Sequence, residues 1–450
     1  MDASIVNIAL PTIGESLGFS PTMLAWIVDG YLIGLAGFML VAGRATDLVG
    51  RRVLFLAGVV TFTGFSVVCA IAVEPWHLIG SRVGQGIGAA TAMPSAIALI
   101  TDLFPEGSAR NKALGLFSGM AGVAAPVGLV LGGALTAADW RWIFLINIPF
   151  GLVVVVAGLR LLPKGKRRTG TRLDVVSAVG LTCGLILLTV AVLRGGAQGW
   201  GSALTLSQFG AAVAMLIIFS IRQATASDPL IPRELLRSRT IVTGNVVFVL
   251  VGTILLCTFF ITTLFLQQVR GLDPLAAALI YLPVPAAMLA GTQAAPRLLR
   301  LGANTLMGAL GLQAGALACW AALMRPDGGL LLTFALPAAV WAFGLGIAIV
   351  CSFVICTSGA SPQLAGAASG LATTSYQGGG AIGLALLALL ADAQANEAGT
   401  GPAALTTGFV AALWASCAIA VVAAIAVALV IPGRAHHGAA QDAATRTERR

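Results

Sequence analysis

The sequence predicts an all-α polytopic membrane protein, and three observations predict it. Of 450 residues, 58% are hydrophobic and only 10% are charged, whereas a soluble domain covers itself with roughly a quarter charged residues. The apolar residues fall in continuous blocks of about twenty, the length that crosses a hydrocarbon core about 30 Å thick. The blocks are rich in Ala, Leu and Gly and do not alternate in polarity. Only helices and closed barrels satisfy their backbone within lipid, and an unalternating block means a helix.

Apolar runs bounded by charge and turn residues divide the chain into fourteen spans. They lie at 1–14, 22–42, 53–73, 77–103, 112–136, 143–162, 174–194, 203–222, 240–268, 274–296, 303–324, 329–356, 364–391 and 404–431. The first has only about ten apolar residues after Met1-Asp2, too few to cross the core. Either that helix is truncated, or the start has been assigned downstream and Met1 stands for an internal residue. The second is expected, because a half-helix strands its first backbone N–H groups in lipid.

Charge sets the orientation. With a cytoplasmic N-terminus, 21 of the 26 Lys and Arg fall in the loops after even-numbered spans or in the tail. The outer loops hold only Arg141, Arg194, Arg270 and Arg325, and Arg82 is inside a span. One missed helix would invert every later loop, so this bias supports both the span count and cytoplasmic termini. The same rule accounts for the net charge of +9 without nucleic acid. No connection is long enough for a soluble catalytic domain, and no phosphate-binding P-loop occurs, which argues against an enzyme or ATP drive. The seven cysteines sit inside apolar blocks, and His436–His437 reads as solvated tail, so no metal or other cofactor is expected.

Of seventeen acids, only Asp2 and Asp29 fall clearly inside spans. A carboxylate at membrane depth is costly unless it is protonated, paired or facing water, a setting that suits a proton carrier. The competing reading is a structural ion pair. Arg82 is the one cation in a span, so at most one acid has a simple permanent partner, and Arg82 beside Asp2 or Asp29 would form a charge relay. Arg82 lies among Gly80, Gly84 and Gly88, a small-residue face that admits a close neighbouring helix. The stretch Gly43-Arg44-Ala45-Thr46-Asp47-Leu48-Val49-Gly50-Arg51-Arg52 reads as a loop between spans two and three, its glycines permitting a tight turn. Span five carries Gly122, Pro126, Gly128, Gly132 and Gly133, a pliable and closely packed helix.

Together these stretches resemble the major facilitator superfamily, and within it the fourteen-helix drug:proton antiporter family of multidrug-resistance exporters. The 43–52 stretch resembles that superfamily's signature between helices two and three, through Gly43, Asp47, Gly50, Arg51 and Arg52. Leu78–Ala90 resembles the helix-four motif, whose arginine is tied to proton coupling. Gly122–Gly133 resembles the antiporter motif of helix five, with Gly128-Leu129 where Gly-Pro is expected and the proline displaced to Pro126. Asp2–Pro11, Trp26–Tyr31, Asp139–Pro149 and Ala368–Gly383 resemble further stretches of the fourteen-helix family.

The resemblance implies a six-helix bundle over 1–162, two linker helices and cytoplasmic loops over 163–239, a second bundle over 240–432 and a disordered tail over 433–450. An echo of 43–50 in Pro296–Gly302 supports the repeat. It implies a proton-coupled antiporter exporting lipophilic drugs or metabolites across a bacterial cytoplasmic membrane, with Asp29, Asp2 and Arg82 coupling the proton. The alternatives are a nutrient facilitator or importer on the same fold and a membrane-embedded enzyme or sensor. Candidate cavity residues are Trp26, Tyr31, Gln85, Asn245, Tyr281, Gln313, Tyr376 and Gln377, which as a set suit a small lipophilic or cationic substrate. The other partners expected are protons and lipid, and the expected state is a monomer.

Overall fold

The computed structural model describes residues 2–104, 127–163, 174–226, 229–299, 303–358 and 364–430, with residues 113, 124 and 360 besides. Among the described residues there is no β-strand. The chain forms α1 (Asp2–Leu17), α2 (Pro21–Val49), α3 (Arg51–Ala70) and α4 (Pro75–Leu103). The described part of the fifth span is α5 (Val127–Ala138). Then come α6 (Trp142–Leu145), α7 (Asn147–Leu161), α8 (Val175–Gln198), α9 (Ala203–Thr225), a short α10 (Arg233–Arg237) and α11 (Arg239–Leu264). The last helices are α12 (Pro274–Tyr281), α13 (Pro283–Leu298), α14 (Ala303–Leu323), α15 (Leu336–Thr357), α16 (Ala365–Ala398) and α17 (Pro402–Val430).

Among the described residues, ten helical segments are long and apolar enough to cross a membrane. Four shorter apolar helices, at Ile5–Leu17, Met23–Met39, Val127–Ala138 and Val179–Val192, occupy the remaining predicted spans. Helix starts follow local chemistry. Proline opens α2, α4 and α12, where a missing N–H costs nothing. Side chains of Asp174, Ser202, Ser238 and Asp273 accept from the first free amides of α8, α9, α11 and α12.

Three features depart from the sequence expectation. The 43–52 stretch is not an open loop: α2 runs through Gly43 to Val49, and Gly50 alone makes the turn, at φ +108°. Predicted spans nine and twelve each contain a π-helical turn, at Phe265–Val269 and Leu331–Ala335. Span ten breaks at Leu282, where Pro283 and Pro285 remove two backbone donors. In addition, α16 extends to Ala398 and carries Asp392 inside a helix, beyond the expected span end.

Glycine sets the packing. A Cβ on Gly86 of α4 would lie 2.1 Å from the Tyr31 carbonyl of α2, and one on Gly34 of α2 would lie 2.4 Å from that of Val83. The same joint recurs between α13 and α15: a Cβ on Gly346 would lie 2.2 Å from the Met288 carbonyl, and one on Gly291 2.1 Å from that of Phe343. These two joints are one structural unit used twice. The α8–α9 pair packs on both α2 and α16, with the Thr182 hydroxyl donating to the Gly37 carbonyl at 2.6 Å.

Candidate functional site

Two centres with buried polar groups lie inside the helical core, the first in the α2–α4 joint and the second around α11, α12, α14 and α15, sharing α15 with the α13–α15 joint. The first gathers around α4. Arg82 is buried, and its Nε donates to the Ile27 carbonyl of α2 at 3.0 Å while one terminal nitrogen donates to Gln85 Oε1 at 2.8 Å. Gln85 Nε2 donates to Ser66 Oγ at 2.7 Å, and Ser66 also receives Asn147 Nδ2 at 3.4 Å. The guanidinium stands 4.6 Å from the centre of the Tyr31 ring, a cation–π contact strengthened by its dry surroundings. A charge inside a membrane protein must find such partners, and this arginine finds them on α2 and α4, with Gln85 linking the network onward to α3.

Asp29 lies two residues beyond Ile27 on α2. It is fully buried, and neither carboxylate oxygen has a hydrogen-bond partner among the described residues. Of the two pairings the sequence offered Arg82, the one with Asp29 is not formed, and the one with Asp2 lies outside the described residues. Two of the guanidinium's hydrogen bonds go to a backbone carbonyl and a side-chain amide, neither of which changes charge when the acid takes up a proton. Asp2 begins α1, and its side chain lies outside the described residues, as do those of Arg44 and Asp47.

The second centre is aromatic. Tyr281, Phe259, Trp341, Trp320 and Phe334 form one chain of ring contacts with centroids 5.3–6.3 Å apart. Gln313 abuts Gly344, one turn from Trp341. Position by position, the second joint replaces the charges of the first. Asp29 precedes Gly34 as Ala286 precedes Gly291, and Arg82 precedes Gly86 as Ala342 precedes Gly346.

The other sequence-predicted residues are dispersed. Gln85 belongs to the Arg82 network and not to a separate cavity wall. Trp26 packs beside Val192 of α8 and Ala385 of α16. Asn245 donates to Ile241 in its own helix at 2.8 Å and accepts from Ser375 of α16 at 2.9 Å. Tyr376 lies against Phe248, with centroids 4.7 Å apart, and Gln377 is half-buried on α16. Of the eight expected cavity residues, Tyr31 and Gln85 meet at Arg82 and Tyr281 and Gln313 lie at the aromatic centre, while Trp26, Asn245, Tyr376 and Gln377 lie elsewhere in the core.

At the turn around Gly50, Arg51 forms an ion pair with Asp102 and donates to the Ala98 carbonyl at 3.1 Å. Arg52 donates to the Leu159 carbonyl at 2.6 Å. These contacts tie α3 to α4 and α7. In the fifth helix, a Cβ on Gly132 would meet Ile8 and Ile5 of α1, and one on Gly133 would meet α12. Gly128 is buried, while Gly122 and Pro126 lie outside the described residues.

Sequence reasoning missed Asn7. Its amide nitrogen donates at 3.0 Å both to the Phe259 carbonyl and to Thr263 Oγ1 of α11. Gln267 donates back to the Ile8 carbonyl at 2.7 Å. The first helix is thereby joined to α11 in the middle of the sequence, and only a buried asparagine in an otherwise apolar helix could have signalled it.

The comparisons agree with this architecture. The family model described as "Major Facilitator Superfamily" matches residues 1–384. The chain is 36% identical over 392 residues to the cephamycin export protein of Amycolatopsis lactamdurans, covering 86% of this chain and 81% of that protein. It is 34% identical over 432 residues to the puromycin resistance protein of Streptomyces alboniger, covering 94% and 85%. An auto-inhibited peptide transporter of the POT family shares the fold, with a TM-score of 0.68 at 16% identity and 95% of each chain covered. A family match over most of the chain, on an all-helical membrane architecture, makes this protein a multi-pass transporter of the major facilitator superfamily.

Proposed function

We propose that the chain is a proton-coupled antiporter that exports lipophilic drugs or metabolites across a bacterial cytoplasmic membrane, with fourteen spans and both termini cytoplasmic. The observation that carries this reading is Asp29. A carboxylate buried in a helix core without a hydrogen-bond partner among the described residues is a poor structural element and a suitable proton carrier. The export and resistance names of the two relatives support the outward direction.

Asp29 takes a proton from the outer side and releases substrate, the halves rock so that the α1–α11 contact opens and closes, and inward opening returns the proton as new substrate binds. Arg82 stays on its carbonyl and amide throughout, so its positive field opposes reprotonation and favours release. One proton supplies about 1.4 kcal/mol per unit of pH difference and about 2.3 kcal/mol per 100 mV of membrane potential. The gradient is the only energy source in this account, and a single chain suffices.

The test uses inside-out vesicles holding the protein, acidified within and loaded with a pH dye. Addition of a lipophilic drug is expected to release protons in proportion to its uptake. Uptake that proceeds equally without a pH gradient and releases no protons would replace antiport by facilitated diffusion.

A further inference from the structure

The aromatic centre beside the second joint, with Gln313 next to Gly344 on its α15 side, holds four buried side chains whose polar atoms are unsatisfied among the described residues. Tyr281, Gln313, Trp320 and Trp341 are each no more than 1% exposed. The Tyr281 hydroxyl, both Gln313 amide atoms and both indole nitrogens have no hydrogen-bond partner among the described residues. Buried polar groups are normally paired, and four unpaired side chains on one ring cluster are too many for chance packing defects.

The backbone around them is irregular in the same place. Phe334 sits in the π-helical turn Leu331–Ala335. Tyr281 closes α12 at the proline break, where Pro285 leaves the Tyr281 carbonyl without its helical donor. A second π-turn ends α11 six residues after Phe259. Single π-turns inside long helices recur at functional sites, because they re-aim side chains at a local cost in regular bonding.

We propose that this cluster is the substrate subsite of the C-terminal helices and takes an uncharged, planar aromatic molecule carrying carbonyl oxygens. The inference rests on the exporter reading and adds the substrate class. An indole N–H can only donate, so Trp320 and Trp341 require an acceptor, and Gln313 and Tyr281 can supply further donors. The ring faces and edges suit a flat aromatic body. The joint carries Ala286 and Ala342 where its counterpart carries Asp29 and Arg82, so a charged ligand would find no counter-charge there.

Access is governed by α1. The Phe259 carbonyl that accepts from Asn7 belongs to the same cluster, so the ring set is covered while α1 lies on α11 and uncovered when they part. The repeated joint thus divides the work: proton in the first copy, ligand beside the second.

The experiment measures binding of 9,10-anthraquinone and of anthracene, the same ring system without oxygens, to the full chain in lipid nanodiscs. Wild type is compared with Trp341→Phe and Gln313→Leu, each of which removes donors and keeps an apolar filling. Wild type is expected to hold anthraquinone more tightly than anthracene. Each variant is expected to lose about tenfold of the anthraquinone affinity, one hydrogen bond's worth, with anthracene unchanged and the melting temperature equal or higher. Equal binding of the two probes by wild type would overturn the proposal, as would variants that melt higher yet bind anthraquinone unchanged. The two readings separate in vesicles. Unchanged anthraquinone binding with proton-driven dye export intact sinks the subsite and keeps the exporter. Donor-dependent binding without any proton-driven transport keeps the subsite and sinks the exporter.

Discussion

Arg82 Nε donates to the Ile27 carbonyl, 3.0 Å away and two residues before Asp29 on the same helix. Cation and acid therefore share one stretch of α2 without sharing a hydrogen bond. A direct ion pair would hold the carboxylate ionised, and breaking it at each cycle would cost several kcal/mol in a dry core. Two of the guanidinium's hydrogen bonds, to the Ile27 carbonyl and to Gln85, leave the Asp29 oxygens without a hydrogen-bond partner among the described residues.

Arg82→Lys should preserve charge and fold but not function. A single ammonium cannot reach Ile27 and Gln85 in the directions a planar guanidinium does. Loss of one charge-assisted hydrogen bond corresponds to about tenfold or more in proton-driven transport. Transport rates in vesicles, with melting temperature as the folding control, check it. Unimpaired transport would remove the network from the mechanism.

The glycine joints predict a contrast in stability. Alanine at Gly86 or Gly346 drives a methyl to within 2.1–2.2 Å of a neighbouring carbonyl, and backbone cannot yield as a side chain does. Each should destabilise by about 1–3 kcal/mol, read as lost thermal stability in detergent. Gly43→Ala should be neutral or slightly stabilising, since Gly43 is helical with nothing within 4 Å of a Cβ.

The α1–α11 contact should be catchable. In a background without the seven native cysteines, Asn7→Cys with Thr263→Cys places two thiols where the amide and hydroxyl now meet. A short bis-thiosulfonate should bridge them and stop transport, and reductant should restore it. Bridged protein that still transports would show that the contact need not open.

Asp174 precedes α8 as its N-cap, ahead of the apolar stretch Val179–Val192, and gives a pH dependence. Burial pushes its carboxyl up, but the hydrogen bonds from Ser177 and the nearby Arg222 outweigh this and hold it below the usual carboxylate range. A depressed folded value means the stabilisation is present at neutral pH and is lost as pH falls through that value, below the ordinary 3.8. Asp174→Ala should cost about 1 kcal/mol at pH 7. The gap from wild type in thermal melts should close below pH 3.8.

Hydropathy made the helices legible because a span must be apolar along its whole length, and each predicted span contains an apolar helix. Asp29 and Arg82 stood out for the same reason: charge is rare at that depth. What stayed hidden was relational. Nothing in the sequence says that Arg82 would choose Ile27 over Asp29, or that Asp102 would answer Arg51. The π-turns carry no period of their own, and Gly43 looked like a loop residue because charge, not helix geometry, marked the span's end. The repeated joint is visible only through its close approaches, since the glycines are shared and the neighbours are not.

The central claim is that Asp29 couples the proton and does not hold the fold or the substrate. The direct measurement compares wild type with Asp29→Asn in the same vesicles, following both proton-driven uptake and gradient-free exchange of labelled substrate. The account predicts that Asp29→Asn loses uphill uptake and proton release but keeps exchange, because the amide imitates the protonated acid. Uphill uptake that survives in Asp29→Asn, or exchange lost together with it, would contradict the account.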